Sequence, residues 1–184
     1  MMLYTLLVVA TGLERLAELI VSDRNARWSF ARGGVEYGQR HFPAMVLLHT
    51  GLLIACLVEV WGLGRPFIPW LGWPMLALVL ASQALRWWCI GALGRRWNTR
   101  VIVVPGLPRV TRGPYRWSWL HHPNYIAVIV EGFALPLVHS AWITALCFTV
   151  LNAILLFRFR IPIENTALAT LDHRRSPLEG DGQA

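Results

Sequence analysis

Two short polar runs hold most of the residues in this chain whose types and spacing suit chemistry. The first, GPYRWSWLHHPNY, extends from Gly113 to Tyr125, and the second, RFRIPIENTAL, from Arg158 to Leu168. Between Pro123 and Phe157 the only formal charge is Glu131. Proline suits the first turn of a helix because it lacks the amide hydrogen that would be orphaned there. A helix beginning at Pro123 would turn free N–H groups and the positive end of its dipole towards a carboxylate or phosphate. His121, His122, Asn124 and Tyr125 surround that end. From the second run, Glu164 and Asn165 supply an acid and an amide, and an acid beside an amine or ribose hydroxyls can clamp a cofactor. The competing reading is anchoring, since Arg, His, Tyr and Trp are routine just outside a membrane span.

The elements that must position these runs are apolar. The chain has 184 residues, enough for one domain, with 55% hydrophobic and only 15% charged residues. Five stretches approach the ~20 apolar residues that cross a bilayer. They run from about Leu3 to Ser22, Pro43 to Leu63, Trp70 to Leu93, Pro123 to Leu137 and Ala141 to Phe159. The fold class expected is an all-α integral membrane protein with about five transmembrane helices. The last two form a C-terminal helical hairpin flanked by cytoplasmic cofactor-binding loops. Residues 1–93 hold three N-terminal spans, 94–171 the loop, hairpin and C-terminal motif that form the cofactor site, and 172–184 a flexible tail. The segment VIVVPGLPRV is too short to span and is broken by Pro105, Gly106 and Pro108, so it reads as a strand-like or interfacial loop. Ser140 is placed to N-cap the fifth span.

Charge gives orientation. All 17 basic residues are arginine, and the net charge is +7. Four arginines follow the first span, six follow the third and four lie from Arg158 onward, against one between spans two and three and none in the hairpin turn. An external N-terminus and a cytoplasmic C-terminus satisfy the positive-inside rule at every loop. Arginines in short loops between apolar spans favour topology and anionic headgroups over nucleic acid. Inside the spans, Glu14 and Glu18 are four residues apart and share a helix face. Together with Arg15 they read as an internal salt-bridge network. His49 reads as a packing residue, Glu59 as a group reaching the interface, and Glu131 either faces the pocket or pairs with Arg86. Cys56, Cys89 and Cys147 sit singly in apolar runs and read as buried small hydrophobes.

The two polar runs also resemble a known family. GPYRWSWLHHPNY followed by RIPIENTAL is similar to the isoprenylcysteine carboxyl methyltransferase family, whose usual form is GPY-x-x-x-RHP-x-Y, an apolar hairpin, then R-I-x-x-E-E-x-x-L. ERLAELIVSDRNARW and GGVEYGQRHFP resemble the bacterial branch that methylates hydroxyls of alkylpyrones or phenolic lipids. The resemblance implies a membrane enzyme that uses S-adenosylmethionine, held by Gly113, Tyr115, His122, Pro123, Asn124, Tyr125, Glu164 and Asn165. The motif arginine is His121 here, and the second glutamate is Asn165. The implied reaction is in-line attack of an acceptor oxygen on the sulfonium methyl, which asks for alignment and a dry site, with Arg116, His121 and Arg160 the candidates for orienting an anionic acceptor. The implied partners are membrane lipids and a lipophilic small-molecule or prenylated substrate, with a carboxylate or hydroxyl acceptor, in the inner membrane of a bacterium. Two other readings compete: an NADPH-dependent membrane reductase of a lipophilic substrate, and a non-enzymatic membrane binding protein.

Overall fold

The computed structural model describes residues 1–117 and 122–173, with the side chains of 171–173 left aside. The chain starts with helix α1, Met2–Phe30, whose polar residues face inwards. Thr11, Glu18, Ser22, Asn25 and Ser29 are buried, while Leu3, Leu6, Leu13, Leu16 and Ile20 are exposed. Water would reverse that arrangement, because it costs free energy to hold apolar surface in water and polar groups in a dry interior. Lipid tolerates it. The helix also runs through residues 23–30, expected to be loop, since Ser22, Asn25 and Ser29 continue the inward row at helical spacing.

Helix α2, Phe42–Gly62, and helix α3, Pro69–Leu93, follow, each with proline in its first turn. Helix α4 is Pro123–Leu137 and α5 is Trp142–Leu155. They pack closely: a Cβ on Gly132 would lie 1.9 Å from Cε1 of Phe148, so only glycine admits this approach. Beyond α5 the helix does not stop at Phe159. A π-helical turn, Leu156–Arg160, carries it into α6, Ile161–His173. Pro162 has no amide hydrogen for the Arg158 carbonyl and its ring crowds that group, so an α register would break there. The wider turn absorbs the defect and the helix continues. RIPIENTAL is therefore on a helix rather than in a loop. Asp172 and His173, expected in the tail, end that helix, and residues 174–184 lie outside the described residues.

Among the described residues, three helical stretches are long and apolar enough to cross a membrane: Gln39–Gly62, Pro69–Arg96 and Trp142–Thr170. Against the five expected spans, α1 is long enough but carries Glu14, Arg15 and Glu18, and α4 is apolar but only 15 residues long.

The in-span charges pair with one another. Arg86 Nη2 lies 2.8 Å from Glu131 Oε2 and Arg15 Nη1 3.0 Å from Glu18 Oε2. Cross-contacts of 3.4 Å (Arg15 to Glu131) and 3.5 Å (Arg86 to Glu18) close the network. Gln83 Oε1 accepts from Arg15 at 2.8 Å. Of the two readings of Glu131, the pairing with Arg86 is the one observed.

Glu59 differs from its expectation. It is buried, and its carboxylate accepts the amides of Ile143 and Thr144 at 3.2 and 2.7 Å and the Thr144 hydroxyl at 2.8 Å. An acid on α2 thus satisfies the first amides of α5 and meets the positive end of its dipole. Ser140 is not the cap. It adopts φ 57°, its Oγ has no partner, and the capping position is Ala141.

VIVVPGLPRV does contain a strand, β2, Val101–Val103, which pairs antiparallel with β1, Val35–Tyr37. Its partner, in the first polar loop, was not legible, because three residues of alternation carry too little periodic signal. Val101, Val103 and Ala167 form a small core between this ribbon and α6.

Candidate functional site

The ribbon, the loop before it and the start of α4 close over α6, and the site lies between them. The π-helical turn ends on Arg160 and α6 carries Glu164, four residues on and about one turn away. Glu164 accepts the Tyr125 hydroxyl from α4, and its Oε1 stands 3.5 Å from His122 Nδ1. His122 stacks on Tyr125 with ring centroids 5.3 Å apart. The Glu164 carboxylate beside it holds the His122 pKa above its ordinary value, against the opposing effect of desolvation. Arg160 is buried, and its Nη2 donates to the Thr99 carbonyl at 2.9 Å. The two polar runs therefore do meet.

α1 holds the other wall. Asn25 Nδ2 donates to the carbonyls of Gly94 and Trp97 at 3.2 and 2.7 Å. The Ser22 hydroxyl donates to Asn98 Oδ1 at 2.6 Å and accepts the Thr99 amide at 3.1 Å. These bonds fix Trp97, Asn98 and Thr99 against α1. Sequence reasoning missed all three, and also missed Ser22 and Asn25. The available signal was the inward polar row of α1, hidden because its last two turns read as loop.

Two cavities result. One, of about 330 Å³, is lined by Arg96, Arg100, Arg109, Tyr115, His122 and Glu164 among others, and includes Ser29 of α1. The other, of about 390 Å³, lies among α1, α2, α4 and α5 and is walled largely by Val9, Leu13, Leu16, Met45, Leu53 and Leu155. Both volumes are in the range of small-molecule sites. Trp97, Asn98, Asn124, Tyr125 and Arg160 line both.

Of the residues expected at the site, Tyr115, His122, Asn124, Tyr125, Arg160 and Glu164 line the first cavity. Gly113 and Pro123 do not line it but shape its edge. Gly113 has φ 60°, and a Cβ there would come within 2.8 Å of Ala92 Cβ on α3. Asn165 is exposed and outside the lining, next to His122. Arg116 is exposed, its guanidinium 4.5 Å over the Trp117 ring, and does not reach either cavity. His121 lies outside the described residues. At the helix start, the amides of Tyr125 and Ile126 donate back to the His122 carbonyl at 3.0 and 3.4 Å. That leaves the turn fewer free donors than an open helix end would have.

The helix bundle thus holds a cavity walled largely by apolar helices beside a second with charged residues in its lining, and the two share part of that lining. Residues 75–170 match the isoprenylcysteine carboxyl methyltransferase (ICMT) family, and the chain belongs to it, a family of membrane methyltransferases. It is 35% identical over 167 residues to a Bacillus subtilis (strain 168) protein described as uncharacterized protein YpbQ, covering 90% of this chain and 96% of that one. It is 25% identical over 160 residues to an uncharacterized protein of Haemophilus influenzae, covering 85% and 90%. No solved structure matches it at a significant level.

Proposed function

We propose that the protein transfers a methyl group from S-adenosylmethionine to an oxygen of a lipophilic acceptor at the cytoplasmic face of a bacterial inner membrane. The observation that carries this reading is the shared wall of the two cavities. A charged, soluble reactant suits the polar cavity of the loops, a greasy one suits the cavity among the helices, and they meet at Asn124, Tyr125 and Arg160. Residues 94–171 supply most of the cofactor site, with Ser29 added from α1.

The residues of the polar cavity fit the cofactor. Glu164 offers an anionic oxygen to its amine or ribose hydroxyls, and Asn124 Oδ1 is buried without a partner and free to accept a hydrogen bond. Bound there, S-adenosylmethionine supplies an electrophilic methyl on a sulfonium. The chain's part is then mostly positional. Tyr125 and His122 hold the Glu164 carboxylate in place, Arg160 sets the polar end of the acceptor at the shared wall, and the apolar helices keep water away.

S-adenosylmethionine should raise the unfolding temperature of the detergent-solubilised protein by mass action, and NADPH at the same concentration should not. The reverse order would favour a membrane reductase, and protection by neither would favour a binding protein.

The arginine distribution and the lipid-facing leucines of α1 support five spans, with α1 and α4 crossing alongside the three longer helices. The C-terminus is then cytoplasmic. A reporter fused there should be active only in its cytoplasmic form. Periplasmic activity would put the polar cavity on the side without cofactor.

A further inference from the structure

The apolar cavity is not walled by hydrocarbon alone, for His49 of α2 lines it. The ring packs as expected, meeting Phe148 of α5 edge-on with centroids 5.4 Å apart. Only one of its nitrogens is used. Nδ1 lies 2.9 Å from the Met45 carbonyl, one turn back on α2. A carbonyl oxygen only accepts, so Nδ1 carries the hydrogen, and turning the ring over would put a carbon there instead. Glu18, which also lines the cavity, and Glu131 pair with Arg15 and Arg86 rather than with this ring. An unpaired cation is costly among apolar walls, so the imidazole is neutral. Nε2 is then an acceptor, and it has no partner among the described residues.

A second polar group faces the same space from α5. Asn152 is 2% exposed, and its Oδ1 is buried without a partner. It follows Phe148 by one turn, which sets it within about a turn of His49 in depth. A carboxamide gives or accepts a hydrogen bond according to its orientation, and a hydroxyl answers either. Both residues line the apolar cavity and not the polar one. Along the continuous helix of α5 and α6, Asn152 precedes Arg160 of the shared wall by two turns, roughly 12 Å. Polar atoms left unbonded in a lipid-embedded interior cost free energy, and a plain hydrocarbon tail would leave both groups unbonded.

Resting on the reading of this cavity as the site of the lipophilic acceptor, we infer that the acceptor carries a hydroxyl on its apolar body, which donates to His49 Nε2 and bonds the Asn152 carboxamide. This hydroxyl is not the oxygen that is methylated, because it sits well inside the apolar cavity and away from the shared wall. His49 and Asn152 are therefore specificity residues, selecting a hydroxylated lipid over one with a purely hydrocarbon tail. His49 lies before the stretch, residues 75–170, that matches the family. The selection is thus carried in part by a helix outside that stretch.

The test measures binding of methyl stearate, methyl 10-hydroxystearate and methyl 12-hydroxystearate to the full-length protein in detergent. The three esters are uncharged and of equal chain length, and differ only in the hydroxyl. Two hydroxyl positions are used because the depth of the pair is fixed to about a turn. After correction for partition into empty micelles, the parent should bind one hydroxy ester roughly two- to tenfold more tightly than methyl stearate. His49→Phe keeps a flat ring against Phe148 and removes Nε2; Asn152→Leu keeps the volume and removes the amide. Each should abolish the preference while methyl stearate binds as tightly as to the parent or more so, which reports an intact cavity. If one variant does not fold, the other and the parent's own preference still decide. A parent that favours neither hydroxy ester, or binds no ester, overturns the inference, and so does a preference that persists in folded His49→Phe. Binding of S-adenosylmethionine to the parent is measured separately. Cofactor binding without hydroxyl preference sinks this inference alone, and a preference without cofactor binding sinks the methyltransferase reading alone.

Discussion

Replacing Glu164 by glutamine lowers the affinity for S-adenosylmethionine by about ten- to a hundredfold, as expected for loss of a hydrogen bond to a charged group worth ~1.5–3 kcal/mol. The carboxylate faces the polar cavity from α6, with Tyr125 donating to one oxygen and His122 near the other. Glutamine keeps the size and still accepts from Tyr125, so only charge is removed. The fold should survive, because Glu164 is partly open to solvent and the helix continues on either side of it. Asn165 stands where the family motif has a second acid, but it is exposed and outside the cavity lining. Asn165→Glu should therefore leave affinity unchanged or raise it. Calorimetric titration of the detergent-solubilised protein checks both variants. Parent-like binding by Glu164→Gln would make this residue an anchor and the polar cavity something other than the cofactor site.

Arg86→Met should destabilise the protein by about 3–5 kcal/mol, the usual effect of leaving a buried charge without its partner. Arg86 is buried on α3 and lies between Glu131 of α4 and Glu18 of α1, at 2.8 and 3.5 Å. Removing it leaves three acids, Glu14, Glu18 and Glu131, facing one arginine, Arg15, in a setting with little water. Methionine fills much of the same volume, so a packing defect is a minor part of the effect. Arg86→Met combined with Glu131→Gln should recover much of the loss, because the network is then smaller by one charge of each sign. Denaturant unfolding in detergent reads both. A single variant within ~1 kcal/mol of the parent would show that water reaches the network and that the pair is screened like a surface ion pair.

The sequence by itself determined the broad class and pointed to residues that the fold brings together at the candidate site. Apolar runs of membrane length need no tertiary partner to be recognised, because the bilayer sets their length. Acids and an arginine close together inside such a run favour pairing with one another, so the Glu14, Arg15 and Glu18 network was legible from spacing. Arg160 and Glu164, four apart, and the His122–Tyr125 turn were legible as chemistry because few structural roles need those types together.

Tertiary structure decided what local pattern could not carry. Ser140 has the residue type of a helix cap, but Glu59 of α2, distant in sequence, does the capping, and only packing of α2 against α5 makes that visible. Pro162 is a helix breaker on local grounds, but the π-helical turn before it keeps α5 and α6 continuous and sets the face on which Glu164 stands. Arg116 sits in the motif and looks available for the acceptor, yet the chain turns it outwards over Trp117. Trp97 and Asn98 carry no motif at all. They line the two cavities because Ser22 and Asn25, on a helix far earlier in the chain, hold them there.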